Sequence, residues 1–170
     1  MKVGPPNLYC VVLTAISTGA RQGEILNLEW SHIDFDHRIA CLKETKNGRP
    51  RSIFLAEAVV AELQKLYEQR NPLKSLVFAS KTSFGRVDLK KAWQIALKRA
   101  GIFNCRAHDM RHTFATLAAG EGASNLELAT AMGHRTLQML QRYTHMDVQT
   151  TKKYSQQISA KILMEKPVNS

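Results

Sequence analysis

Acidic residues are the scarce class in this chain: 14 Asp and Glu stand against 24 Lys and Arg, leaving a net charge of +10 over 170 residues. Such an imbalance favours a polyanionic partner, because each phosphate neutralised by a side chain releases condensed counterions. Charge alone does not choose between DNA and RNA, or between binding and cutting. Cysteine is scarce too. Cys10, Cys41 and Cys105 lie far apart with no CxxC pair, a pattern that fits a reduced intracellular protein better than a disulfide framework or a thiolate zinc site. Also lacking is any apolar run near the ~20 residues that span a bilayer. Met1 and Lys2 lead into Gly4-Pro5-Pro6 rather than into the apolar stretch of a leader peptide. There is no internal repeat, low-complexity tract or interior linker. The length suits one domain, which at this size buries roughly 70% of its unfolded surface and needs no disulfide. The expectation is a single soluble, cytoplasmic domain over residues 1–170.

What is present is a helical pattern interrupted once. Leu8, Val11, Val12, Ala15 and Ile16 follow the spacing of one helical face, and Gly19 is placed to end that helix. A short helix is predicted from near Arg21 through Ile25 and Leu28. Arg38–Lys43 and Arg51–Leu55 read as strands joined across Asn47-Gly48, a hairpin-turn signal. Leu76-Val77-Phe78 is the candidate third strand. Helical spacing returns in Val59, Leu63, Leu66 and Tyr67, and again in Leu89, Trp93, Ala96, Leu97 and Ala100 before Gly101. Met110, Phe114, Leu117 and Ala118 predict a further helix. Ser124 and Glu127 have capping-box spacing for a short one ending at Gly133. Thr136 is placed to cap another through Tyr143, followed by a polar helical tail. The fold class is a mainly helical α+β domain with a small three-stranded antiparallel sheet.

Five places carry side chains suited to chemistry: Arg21 with Glu24, Lys46 in the hairpin, His108 with Arg111, His134, and Arg142-Tyr143. Each has a plain structural reading. Arg21 alone is a solvated arginine with Glu24 as its local partner, Lys46 a solubilising lysine, and Tyr143 a core tyrosine with a wet tip. His108 and Arg111 say more. At about 100° per residue they share one helix surface, and a helix starting near His108 would turn free N–H groups and a positive dipole end toward an anion. His108 and His112 also have zinc-ligand spacing, with His134 and His145 further on. HDMRH, however, lacks the glutamate of HExxH and sets the cation Arg111 among the ligands.

Taken together and in order, these stretches resemble the tyrosine recombinases, and more narrowly the phage and prophage integrases. The matching stretches are TGARQGEILNLEWSHID (Thr18 to Asp34), TKNGRPR (Thr45 to Arg51), HDMRHTFAT (His108 to Thr116), MGH (Met132 to His134) and QRYTH (Gln141 to His145). The resemblance implies that Arg21, Lys46, His108, Arg111 and His134 are catalytic, that Tyr143 is the nucleophile, and that Glu24 supports the arginines. It implies cleavage and rejoining of double-stranded DNA through a 3′-phosphotyrosyl link, with no metal or cofactor. Self-association into a tetramer on DNA and accessory DNA-bending proteins are implied for the full-length protein, and a monomer for the isolated domain. Relatives depart from this chain at Leu140, where many carry a hydroxyl residue, and at Ala107, which is often proline. They also usually carry an N-terminal core-binding domain, whereas the first motif here begins at Thr18. The expectation is a catalytic domain that binds a single site weakly, with a tail from Met146 to Ser170 docking on its own domain or on a neighbour. A type IB topoisomerase-like nicking-closing enzyme and a DNA-binding module without catalysis are the alternatives. The hairpin lysine and the RYTH ending favour the recombinase, and the filled catalytic positions oppose a dead module.

Overall fold

A computed structural model describes residues 6–43, 50–133 and 144–164. The described residues form seven α-helices and three short strands: α1 (Pro6–Thr18), α2 (Gln22–Leu26), β1 (Ile33–Asp34), β2 (Ile39–Leu42), β3 (Arg51–Phe54), α3 (Glu57–Glu68), α4 (Lys90–Arg99), α5 (Asp109–Gly120), α6 (Asn125–Met132) and α7 (Thr144–Met164). None of these helices is long and apolar enough to cross a membrane.

Helix α1 is the hub. Its sequence suggests a single apolar face, yet Leu8, Cys10, Val11, Leu13, Thr14, Ala15, Ser17 and Thr18 are all buried. The reason is that α1 is covered on several sides, by α2, α3, α5 and α7. Its hydroxyls survive burial by bonding to their own helix: Thr14 Oγ1 donates to the Cys10 carbonyl at 2.8 Å and Thr18 Oγ1 to the Thr14 carbonyl at 2.7 Å. One apolar cluster packs α1, α2, α3 and the sheet around Leu13, Ile25, Leu42, Ile53, Leu55 and Phe78. A second gathers Phe114, Ala118, Ala131, Met132, Tyr154 and Ile158 from α5, α6 and α7.

The sheet has order β1-β2-β3 and is antiparallel, with Ile33 opposite Ala40 and Ile39 opposite Phe54. Its third strand is therefore Ile33–Asp34, not Leu76-Val77-Phe78. The open edge of β2 is taken by the segment just before it, returned by a turn in which Asp34 Oδ1 accepts the His37 N–H at 2.9 Å. Leu76 instead pairs in an isolated bridge with Glu29, and the Val77 N–H donates to the Leu28 carbonyl at 2.9 Å. Three apolar residues mark an extended segment without naming its partner. The helix predicted from Arg21 also stops sooner, at Leu26, leaving Leu28 buried in extended chain.

Helix α6 begins with the expected capping box: Ser124 Oγ accepts the Glu127 N–H at 3.2 Å, and Glu127 Oε2 accepts the Ser124 N–H at 2.9 Å. The Asn47-Gly48 turn and the helix predicted from Thr136 to Tyr143 lie outside the described residues. Helix α7 packs against α1, α6 and β3 of this domain. Its Ser155 hydroxyl donates to the Phe54 carbonyl at 3.2 Å, and Tyr154, Ile158 and Ser159 are buried. The tail is thus polar in composition but has a buried stripe.

Gly19 ends α1 with φ +67, and a Cβ there would stand 2.6 Å from Phe114 Cδ1. Backbone strain and overpacking coincide, so Gly19→Ala is expected to cost about 3 kcal/mol. Urea unfolding checks this; an unchanged midpoint would mean that α1 and α5 can separate at no cost.

Candidate active site

The site is assembled where α1 gives way to α2, where α5 begins and where α6 ends. Arg21 precedes α2 in extended conformation, φ −70 and ψ 142. Glu24, in the first turn of α2, accepts the Arg21 backbone N–H at 2.9 Å on Oε2 and the Arg21 guanidinium at 2.8 Å on Oε1. Arg51, on β3, donates to the same Oε2 at 2.8 Å. The Glu24 side chain is 3% exposed, and a carboxylate so buried persists only when paired. Burial alone would raise its pKa. The Arg51 charge and the hydrogen bonds from Arg21 and Arg51 outweigh burial and hold the carboxyl below its usual 4.5.

Arg111 lies in the first turn of α5 and is 3% exposed. It donates to the Gly19 carbonyl at 2.7 Å and to the Met132 carbonyl. One guanidinium therefore joins the chain leaving α1 to the last turn of α6, where carbonyls lack helical partners. Burial first, then the charges of Arg21 and Arg51, push its pKa down to about 10, with Glu24 opposing. It remains a cation at neutral pH.

His108 sits immediately ahead of α5 and makes no capping hydrogen bond with its side chain. Its exposed ring meets His112 edge to face, centroids 5.1 Å apart. Arg21, His108 and Arg111 line a single open cavity of about 450 Å³, together with His112, Ala115, Leu128, Ala129 and Met132. Arg21 thus converges on one space with His108 and Arg111, some way along the chain from it, and the N-terminus of α5 lies beside them. Their donors suit a tetrahedral oxyanion. Lys46, His134 and Tyr143 lie outside the described residues. Among the described residues no group of three His, Cys, Asp or Glu is gathered; His134 and the His145 side chain, the further ligands of the zinc reading, lie outside them.

The sequence profile of the phage integrase family matches residues 4–150. The chain belongs to this family. Among curated relatives it is 39% identical over 140 residues to the shufflon-specific DNA recombinase of Escherichia coli, covering 82% of this chain and 35% of that one. It is 29% identical over 165 residues to the integrase of Salmonella phage P22, covering 90% and 43%. The chain therefore spans less than half the length of either relative. Among solved structures, the XerA recombinase superposes with a TM-score of 0.67 at 26% identity over 87% of this chain and 56% of that one. The integrase of mycobacterium phage Brujita gives 0.69 at 20% identity over 93% and 57%, a likeness of fold.

One site residue escaped sequence reasoning. Arg51 closes the TKNGRPR stretch and reads there only as the start of a strand. A signal was available, because Arg51 and Ile53 share one face of β3 by the two-residue period of a strand, and Ile53 is fully buried. A cation on that face requires a buried anion. The backbone carbonyls that Arg111 and Arg51 use have no sequence signature.

Glu24 being depressed, its contribution to stability is complete above about 4.5 and is lost as pH falls through the lower folded value. Glu24→Gln should flatten that acid limb. At neutral pH it should also cost about 3 kcal/mol by stranding Arg51. Denaturant titrations of both chains from pH 7 to 3 measure this, and parallel acid limbs would refute it.

Proposed function

We propose that this chain is the catalytic part of a tyrosine-type site-specific DNA recombinase that cuts and rejoins strands through a 3′-phosphotyrosyl intermediate. The observation carrying the reading is the convergence of Arg21, His108 and Arg111 on one cavity. Family membership and the named activities of the relatives support it. Double-stranded DNA is the proposed partner. The net charge of +10 agrees with this, and the XerH recombinase, a structural neighbour at 20% identity, is known in a pre-cleavage complex with its difH substrate.

A phosphodiester is an anion that repels nucleophiles, and its alkoxide leaving group is poor. The guanidiniums of Arg21 and Arg111 supply fixed charge and forked donors to the non-bridging oxygens as negative charge grows on them. Tyr143 is the proposed nucleophile. With an ordinary tyrosine pKa of ~10 it needs a proton acceptor at neutral pH, and His108 takes that role. The Tyr143 oxygen bonds to phosphorus, the bond from phosphorus to the 5′-oxygen breaks, and Lys46 gives the departing oxygen its proton. His134 adds a donor to the phosphoryl oxygens. The phosphotyrosyl link conserves the bond, so a 5′-hydroxyl of another strand can displace the tyrosine and reseal the DNA. In the longer protein, assembly as a tetramer on two sites and the help of DNA-bending proteins would follow from that exchange.

Offered nicked DNA at low salt and saturating protein, the wild-type chain should yield a covalent band on a denaturing gel, and Tyr143→Phe none. Arg21→Ala should slow band formation by about 10²–10³. A Tyr143→Phe chain that still traps DNA would remove Tyr143 from the mechanism.

A further inference from the structure

Arg51 has no role in the chemistry above, yet its geometry is among the most constrained in the molecule. Its side chain is 8% exposed. One terminal nitrogen donates to Glu24 Oε2 at 2.8 Å and the other to the Ala131 carbonyl at 2.6 Å, in the last turn of α6. Its stem lies against Gly133, which ends α6 with φ +64; a Cβ on that glycine would stand 3.0 Å from both Cδ and Nε of Arg51. Arg51 and Arg111 cap successive carbonyls of the same helix end, Ala131 and Met132.

We propose that Arg51 is a positioning residue for phosphoryl transfer: it clamps Glu24, and through Glu24 the guanidinium of Arg21, to the carbonyl end of α6 that also holds Arg111. This rests on the recombinase reading of the same site. Without Arg51, Glu24 Oε2 keeps, among the described residues, only the Arg21 backbone N–H, and the carboxylate can swing with Arg21 attached. Two cations that must meet one phosphate would then lose their fixed separation. A lysine cannot substitute fully, since one ammonium reaches Glu24 or Ala131 while the planar guanidinium spans both. Arg51 is not among the residues that line the cavity, so it acts on the rate and not on phosphate contact.

The test is single-turnover covalent trapping on nicked DNA with this chain, alongside the salt dependence of DNA binding. Arg51→Gln should slow covalent-complex formation about 100-fold, the effect of misplacing a reacting group by about 1 Å. Its DNA affinity should stay within about twofold, with an unchanged slope against salt, whereas loss of a phosphate-contacting cation lowers that slope by about 0.9. Arg51→Lys should be slowed about tenfold, and it carries the decision if Arg51→Gln does not fold. The double variant Arg51→Gln, Glu24→Gln should be no slower than the slower single, because the two act as one unit. Arg51 variants trapping at the wild-type rate, a reduced salt slope, or additive losses in the double variant would each overturn the positioning role. A wild-type chain that traps no DNA would overturn the recombinase reading itself, and this inference with it.

Discussion

The arrangement depends on one buried carboxylate. Glu24 is the anion on which the Arg21 and Arg51 guanidiniums close at 2.8 Å each. Breaking a buried pair by removing one partner typically costs about 3–5 kcal/mol, since the other charge stays desolvated. Here the stranded charges would also repel Arg111, already pushed down to about 10 partly by those same two arginines. The carboxylate allows three cations to share a small volume. Its position in the first turn of α2 adds the favourable interaction of an anion with a helix N-terminus.

Arginine also replaces secondary structure as the mortar of the domain. The two apolar clusters meet along α1, and the polar links beside them run from guanidiniums to carbonyls at helix ends. Arg111 joins the Gly19 carbonyl, past the end of α1, to Met132 at the end of α6. Arg51 joins β3 to Ala131. Helix termini leave carbonyls unsatisfied, and a buried terminus without a partner is costly. These arginines remove that cost while holding cationic groups beside the cavity. The contacts that tie the helix ends together also position the site, and the left-handed Gly19 and Gly133 mark the two helix ends where they meet.

How much of this was legible in the sequence follows from the range of each interaction. Local signals succeeded: the Ser124–Glu127 capping box, Gly19 and Gly133 as helix ends, the start of α5 at His108, and the β2–β3 pairing. The helix signals are set by residues a few positions apart, and the pairing joins two strands that follow each other in the chain. Partner choice was less visible. The third strand proved to be Ile33–Asp34, because three apolar residues at 76–78 fit an edge or a bridge equally well. The all-round burial of α1 was hidden by its hydroxyl residues, which look polar in sequence but bond within their own helix. In the site, motif order brought Arg21, Glu24, His108 and Arg111 forward together. It passed over Arg51, whose partners are a carboxylate at Glu24 and a carbonyl at Ala131.

The charge balance of the cluster explains why one acid and not two. Three arginines against one carboxylate leave an excess of positive charge facing the cavity. A second acid would neutralise it and leave little field for a phosphate; no acid would make the empty cluster too costly to fold. With one, the free protein holds the three arginines together, and the Arg111 pKa, lowered first by burial, is lowered further by Arg21 and Arg51. By linkage, an anion entering the cavity raises that pKa again, and the same coupling strengthens the anion's binding. The charge imbalance over the whole chain favours a polyanion at the surface. The imbalance within this cluster offers an anion the cavity that Arg21 and Arg111 line.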